Sequence, residues 1–133
     1  MTKLVFSDKN ISQSLSKISD DELNTLDFGV TGLDNDCIVT RYNNYLGILS
    51  GVSTQKALGF HYFTNVGPCM NNFMVAQKLE DAIDGSVSLD ETINYVLSVR
   101  MKPTKVKLRL IHDVNLSVNY VLILTLPQAT VLR

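Results

Sequence analysis

Thr92-Ile93-Asn94-Tyr95-Val96-Leu97-Ser98-Val99-Arg100-Met101 decides how the rest of the chain is read. Its β-branched and aromatic residues suit a pleated, half-buried surface, so the run reads as a strand. Pro103 interrupts it, because proline lacks the N–H that a ladder needs. Val106 to His112 then pairs β-branched or apolar residues with charged ones. Asp113 to Ser117 has the composition of a turn, and Asn119 to Leu126 is a last apolar strand ended by Pro127. Consecutive strands with no helix between them point to antiparallel pairing.

Upstream, the apolar positions Phe73, Val75, Ala76, Leu79, Ala82 and Ile83 follow a helical period from Asn72 onwards, with Gly85 as the stop. Residues 43 to 68 break into short pieces at Gly47, Gly51, Gly59 and Gly67. Within them Ser53 or Thr54 is placed to cap a one-turn helix through Leu58. This stretch is expected to wrap around a pocket. Phe28 to Leu33 and Cys37 to Tyr42 flank Asp34-Asn35-Asp36, whose short polar side chains suit a tight turn, so they form a β-hairpin. Ile11, Leu15 and Ile18, then Leu23 and Leu26, mark two short helices, the second capped by Ser19 or Asp20. The order predicts an α+β fold: an antiparallel sheet of about five strands flanked by short helices and one longer helix.

A chain of 133 residues is one domain's worth and can bury a core without disulfides or metals. With 12 Lys+Arg against 13 Asp+Glu, it offers no nucleic-acid or anionic-membrane surface. The basic cluster Lys102, Lys105, Lys107 and Arg109 reads as the solvated face of a strand rather than a phosphate site. Met1 to Asp8 lacks the apolar core of a signal peptide, and no apolar run approaches the ~20 residues of a bilayer span. The expectation is a soluble, cytoplasmic protein in which Cys37 and Cys69 are free thiols.

The chemistry centres on Asn65-Val66-Gly67-Pro68-Cys69-Met70, a thiol fixed by a proline on a loop, with the phenol of Tyr42 upstream. Together they suggest a small sensor that holds a ligand covalently. His61 and His112 have no cysteine or carboxylate at metal-ligand spacing, so no metal site is expected and a structural role is the default. Cys37 reads as a bystander thiol in the hairpin turn, and Tyr45 as a packing or surface residue. Ser50 is not in a nucleophile-elbow context, no phosphate-binding glycine loop is present, and no carboxylate pair stands out, so the chain does not read as an enzyme.

The residues Leu26-Asp27-Phe28-Gly29, Tyr42-Asn43, Gly47, Ser50-Gly51, Gly59, Phe63, Val66, Pro68-Cys69, Lys78, Tyr95 and Met101-Lys102-Pro103-Thr104-Lys105-Val106-Lys107 resemble, in order, the photoactive yellow proteins, which are PAS-domain blue-light receptors. The resemblance implies a single PAS domain over 1–133, with an N-terminal helical cap at 1–26, a core at 27–126 and a tail at 127–133. It implies p-coumaric acid bound as a thioester to Cys69, with Tyr42 donating a hydrogen bond to its phenolate. Ser50 stands at the family's threonine position, Pro68 fixes the attachment loop, and Met101 fits the methionine that helps the return to the dark isomer. Isomerisation would leave a charge unpaired, loosen the N-terminal helices and signal to a downstream protein partner.

Two positions depart from the family pattern. Leu46 stands where the family has a glutamic acid that hydrogen-bonds the phenolate and later protonates it, and Val52 stands where an arginine closes the pocket. Leucine and valine can do neither, so the pocket is more apolar than its relatives'. This keeps an alternative open: a PAS ligand-binding or protein-interaction module that has lost the photocycle or the chromophore. A third reading, a redox or electrophile sensor acting through Cys69, requires a lowered thiol pKa.

Overall fold

A computed structural model describes residues 4–99 and 102–127. Met101 and residues 128–133 of the expected tail lie outside the described residues. Five strands, β1 (Gly29–Leu33), β2 (Val39–Tyr42), β3 (Leu89–Val99), β4 (Lys102–Asp113) and β5 (Val118–Thr125), form one antiparallel sheet in the order β2-β1-β5-β4-β3. This is the α+β architecture expected from the strand-rich C-terminal third.

The central strand β5 is buried on both faces because its side chains alternate between two cores. Val121 and Ile123 pack with Leu108 and Leu110 under the middle of the chain. Tyr120 and Leu122 pack with Val30, Phe28 and Ile111 under α1 (Ile11–Lys17) and α2 (Asp20–Leu23). The Ser19 hydroxyl caps α2 by accepting from Glu22 N at 3.2 Å. The first core is covered by α3 (Asn44–Ser50), α4 (Thr54–Ala57) and α5 (Ala76–Asp84), joined through a π-helical turn at Tyr62–Val66 and a 3-10 turn at Pro68–Met70. Ser53 caps α4 by accepting from Lys56 N, and Gly51, at φ 79°, closes α3 in a left-handed conformation that glycine adopts without steric cost.

Some boundaries differ from the sequence reading. The longest helix starts at Ala76 rather than near Phe73, because Asn72 Oδ1 accepts from Met74 N and Val75 N and holds the preceding residues in a turn. Phe73 and Met74 therefore face solvent. β3 begins at Leu89, and Pro103 lies inside β4. It is tolerated there because β4 pairs with β5 only from Val106 onward, so at Pro103 the strand has a single neighbour.

The largest correction concerns the basic stripe. Lys105 and Lys107 are exposed as expected, but Arg109 is buried. Its Nε and Nη2 donate to Asp90 Oδ1 and Oδ2 at 2.7 Å each, while Nη1 donates to the carbonyls of Phe6 at 2.7 Å and Asp8 at 2.8 Å. Alternation put it on the face that the N-terminal segment covers, where a guanidinium can satisfy several acceptors at once. Arg109→Ala is expected to lower stability in urea unfolding by about 2–4 kcal/mol, since Asp90 and two carbonyls lose their donor. Hydrogen exchange should speed most over residues 4–15.

Candidate functional site

The site begins with an amide. β2 ends at Tyr42, and the next residue, Asn43, is fully buried. Its Oδ1 accepts from Val30 N at 3.0 Å and its Nδ2 donates to Leu23 O and Phe28 O at 3.0 Å each. Those bonds fix where the chain leaves the sheet and starts α3, which carries Leu46 and Ser50 on the same face, four residues apart. Gly29 makes room for that helix: a Cβ there would lie 2.3 Å from Leu46 Cδ2. Tyr45 turns the other way, donating to Thr125 Oγ1 at 2.8 Å and accepting from Thr125 N at 3.0 Å. It is a packing residue whose phenol is bonded to Thr125.

Tyr42, Leu46, Ser50, Val52, Pro68 and Cys69 all line one cavity of about 140 Å³. Val66 and Met70, from the stretch around Cys69, also line it, while sequence reasoning missed Tyr62, Leu97 and Ile123. Leu97 and Ile123 come from β3 and β5, so only strand pairing brings them here. A larger cleft of about 630 Å³ lies on the opposite side of the sheet, between the N-terminal segment and Arg109, away from Tyr42 and Cys69.

At one end of the cavity the hydroxyls form a directed chain. Ser50 Oγ donates to Leu46 O at 2.8 Å, a carbonyl that can only accept, so its single proton is committed. It then accepts from Val52 N at 3.1 Å and from the Tyr42 hydroxyl at 2.9 Å. Burial pushes the Tyr42 phenol above its ordinary pKa, and Ser50 offsets part of that because, on ionisation, its hydroxyl can turn its proton from Leu46 O to the phenolate. Tyr62 is fully buried and shifted strongly upward for the same reason, its hydroxyl meeting Met70 Sδ at 4.0 Å. The Thr31 hydroxyl is close enough to favour its ionised form slightly, yet Thr31 Oγ1 is buried without a hydrogen-bond partner. Tyr62 left no signal in the sequence, because the stretch that carries it is a π-helical turn without strand or helix period.

Cys69 is a free thiol, half-buried, in the 3-10 turn that Pro68 opens. Its carbonyl accepts from Tyr95 Oη at 2.8 Å and from Asn72 Nδ2 at 3.4 Å, so β3 holds the loop against the cavity mouth. Cys37 is far from this role, buried at the hairpin turn with φ 62° and its thiol pushed up to about 11 chiefly by burial. His112 is a core histidine, hydrogen-bonded to Asn119 Oδ1 at 2.5 Å.

The chain is 30% identical over 105 residues to the photoactive yellow protein of Halochromatium salexigens, covering 79% of this chain and 83% of that protein. It belongs to the photoactive yellow protein family. The photoactive yellow protein of Rhodothalassium salexigens is 26% identical over 83% of this chain and 87% of its own length. Among solved structures, the photoactive yellow protein domain of the sensor histidine kinase Ppr from Rhodospirillum centenum superposes with a TM-score of 0.77 at 22% identity, covering 84% of this chain and 96% of that domain. The RpfR quorum-sensing receptor PAS domain of Cronobacter turicensis, solved in complex with BDSF, has a TM-score of 0.59 at 13% identity over 76% of this chain and 95% of its own. The fold is thus PAS. No model of a known protein family matches. Among the described residues no helix is long and apolar enough to cross a membrane.

Ser50→Ala removes the acceptor of the Tyr42 hydroxyl, so this family member should lose about 1 kcal/mol of stability. An ultraviolet difference titration should show the Tyr42 midpoint moving up, with Tyr42→Phe identifying the signal. The two raised phenols also set an alkaline limit. Below pH ~10 tyrosine is protonated in both states; above it the unfolded chain ionises while the folded one keeps its protons, so stability falls as pH rises past about 10. Urea titrations across that range should show a shallower fall in Tyr42→Phe.

Proposed function

We propose that this protein is a blue- or violet-light photoreceptor that carries p-coumaric acid as a thioester on Cys69, a cytoplasmic sensor built as one PAS domain with a helical cap at 1–26. The observation that carries the reading is the meeting of the Cys69 thiol and the Tyr42–Ser50 hydroxyl pair in one small, largely apolar cavity. A planar single-ring acid suits it, with a carboxyl carbon at the thiol and a phenol among hydroxyls. When bound, that group supplies a double bond that light isomerises.

The chain's own residues do the rest. Cys69 Sγ attacks an activated carboxyl carbon, losing its proton as the activating group departs, and the Tyr95 bond to the Cys69 carbonyl orients the loop for this. Tyr42 turns its O–H from Ser50 to the ligand's phenolic oxygen. Ser50, its own proton committed to Leu46 O, cannot donate a second bond without breaking the first. Leu46 donates nothing, and Val52 brings no positive charge to the mouth. One charge-assisted donor therefore supports a buried phenolate where the family uses more. Arg41, next to Tyr42 on β2, projects to the opposite face and donates to Leu15 O at 2.7 Å, Ile18 O at 2.9 Å and Asp20 Oδ1 at 3.0 Å. A shift of Tyr42 thus reaches α1 and α2, and through them a protein partner.

A second reading has its own support: the hydroxyls at the cavity end already satisfy one another, and two wall positions are aliphatic, which suits a PAS module with another apolar ligand or none.

Intact mass and absorption spectra, before and after incubation with activated p-coumaric acid, separate the two. The photoreceptor reading requires one coumaroyl mass per chain, absent in Cys69→Ala, with a band that light bleaches. Folded protein that gains no such mass overturns it. The adduct's phenol is expected to titrate higher than in a Leu46→Glu variant. The neutral, ultraviolet-shifted form then prevails over a wider pH range, because a phenol stays protonated below its pKa.

A further inference from the structure

The hairpin tip gathers residues that the light chemistry leaves unused. One ligand atom each of Cys37, His61 and Glu80 lies within 4.8 Å of the others. Three separate elements deliver them. Cys37 ends the β1–β2 turn in a left-handed conformation at φ 62°, which non-glycine residues seldom adopt. His61 is held beside it by the bridge between Ile38 and His61 and by Tyr62 N donating to Cys37 O at 2.9 Å. Glu80 comes from α5 above, and Asp84 one turn later lines the same cleft of about 380 Å³ with Asp36.

The electrostatics are one-sided. Glu80, Asp34, Asp36 and Asp84 all disfavour ionisation of the Cys37 thiol. No ion pair among the described residues reaches Glu80, Asp36 or Asp84. A cluster of acceptors with no cation of its own is stabilised by one from solvent. The donor chemistry narrows the choice: thiolate, imidazole and carboxylate together suit a late first-row divalent ion and not the oxygen-seeking Mg²⁺ or Ca²⁺. His61 Nδ1 accepts from Thr64 N at 3.2 Å, so the neutral ring carries its proton on Nε2, with Thr64 Oγ1 2.9 Å from Nδ1. Coordination through Nε2 moves that proton to Nδ1, where the Thr64 hydroxyl accepts it as the outer hydrogen bond that metal-binding histidines use.

We propose that Cys37, His61 and Glu80 form a divalent-cation site of the zinc class, with solvent or Asp84 as the fourth ligand. Binding forms a metal–sulfur bond and releases the Cys37 thiol proton to solvent. Tetrahedral bonds of ~2.0–2.3 Å need ligand separations of about 3.3–3.8 Å, so side-chain rotations of roughly 1 Å close the site. The ion would tie the hairpin, α5 and the start of the π-helical turn that leads into Cys69. The site is independent of the chromophore.

The test uses chromophore-free protein and the metals alone. Titration with Co²⁺ should give the near-ultraviolet sulfur-to-metal band and visible bands of a tetrahedral thiolate site, saturating at one ion per chain and displaced by Zn²⁺. About one proton should be released per Zn²⁺. Cys37→Ser should abolish the sulfur band while Cys69→Ser keeps it. His61→Gln and Glu80→Gln, at half-buried positions, should each weaken Zn²⁺ binding about tenfold or more in competition with a coloured chelator. Absence of the sulfur band overturns the proposal, as does a band that survives Cys37→Ser or depends on Cys69. If Cys37→Ser does not fold, unchanged Zn²⁺ affinity in both other variants overturns it equally.

Discussion

The Asn43 amide is the constraint on which the site depends. It is fully buried, and each of its bonds ends on backbone from a different part of the chain: the last residue of α2, the entry to β1 and β1 itself. A buried amide that lost these partners would bear a desolvation cost of about 1–3 kcal/mol per unsatisfied group, so the geometry has few alternatives. Because Asn43 joins β2 to α3, the same bonds set the distance between Tyr42 on the strand and Ser50 on the helix. The hydroxyl chain at the cavity end follows from that placement.

The cavity balances two opposed preferences. Burial raises both phenols in its wall, Tyr42 and Tyr62, and keeps them protonated. Only directed hydrogen bonds act the other way, and here the Ser50 proton is already committed to a backbone carbonyl. Leu46 packs against Gly29 and offers this end of the cavity no side-chain donor.

The N-terminal cover is held by two guanidiniums that bind backbone carbonyls. Arg41 takes those at the end of α1, and Arg109 takes those of Phe6 and Asp8. The apolar contacts beneath, from Phe6, Ile11 and Leu15, are non-directional and tolerate sliding. The polar contacts do not.

Local chemistry made much of this legible in the sequence. Strand runs, the hairpin turn, the Ser53 cap and the order of elements depend on neighbours a few residues apart, and the sequence states those directly. The six cavity residues named from motif resemblance, from Tyr42 to Cys69, lie together because the family pattern encodes a shared fold. Tertiary structure alone decided the rest. Arg109 alternates like a solvated residue, yet the N-terminal segment covers its face. Tyr62, Leu97 and Ile123 join the cavity from a π-helical turn and two strands, with no local signal. Cys37, His61 and Glu80 are separated by whole elements, so their convergence arises only when Ile38, just before β2, bridges to His61 and α5 packs above. Periodicity reports which face a side chain takes; what covers that face depends on contacts between residues far apart in the chain.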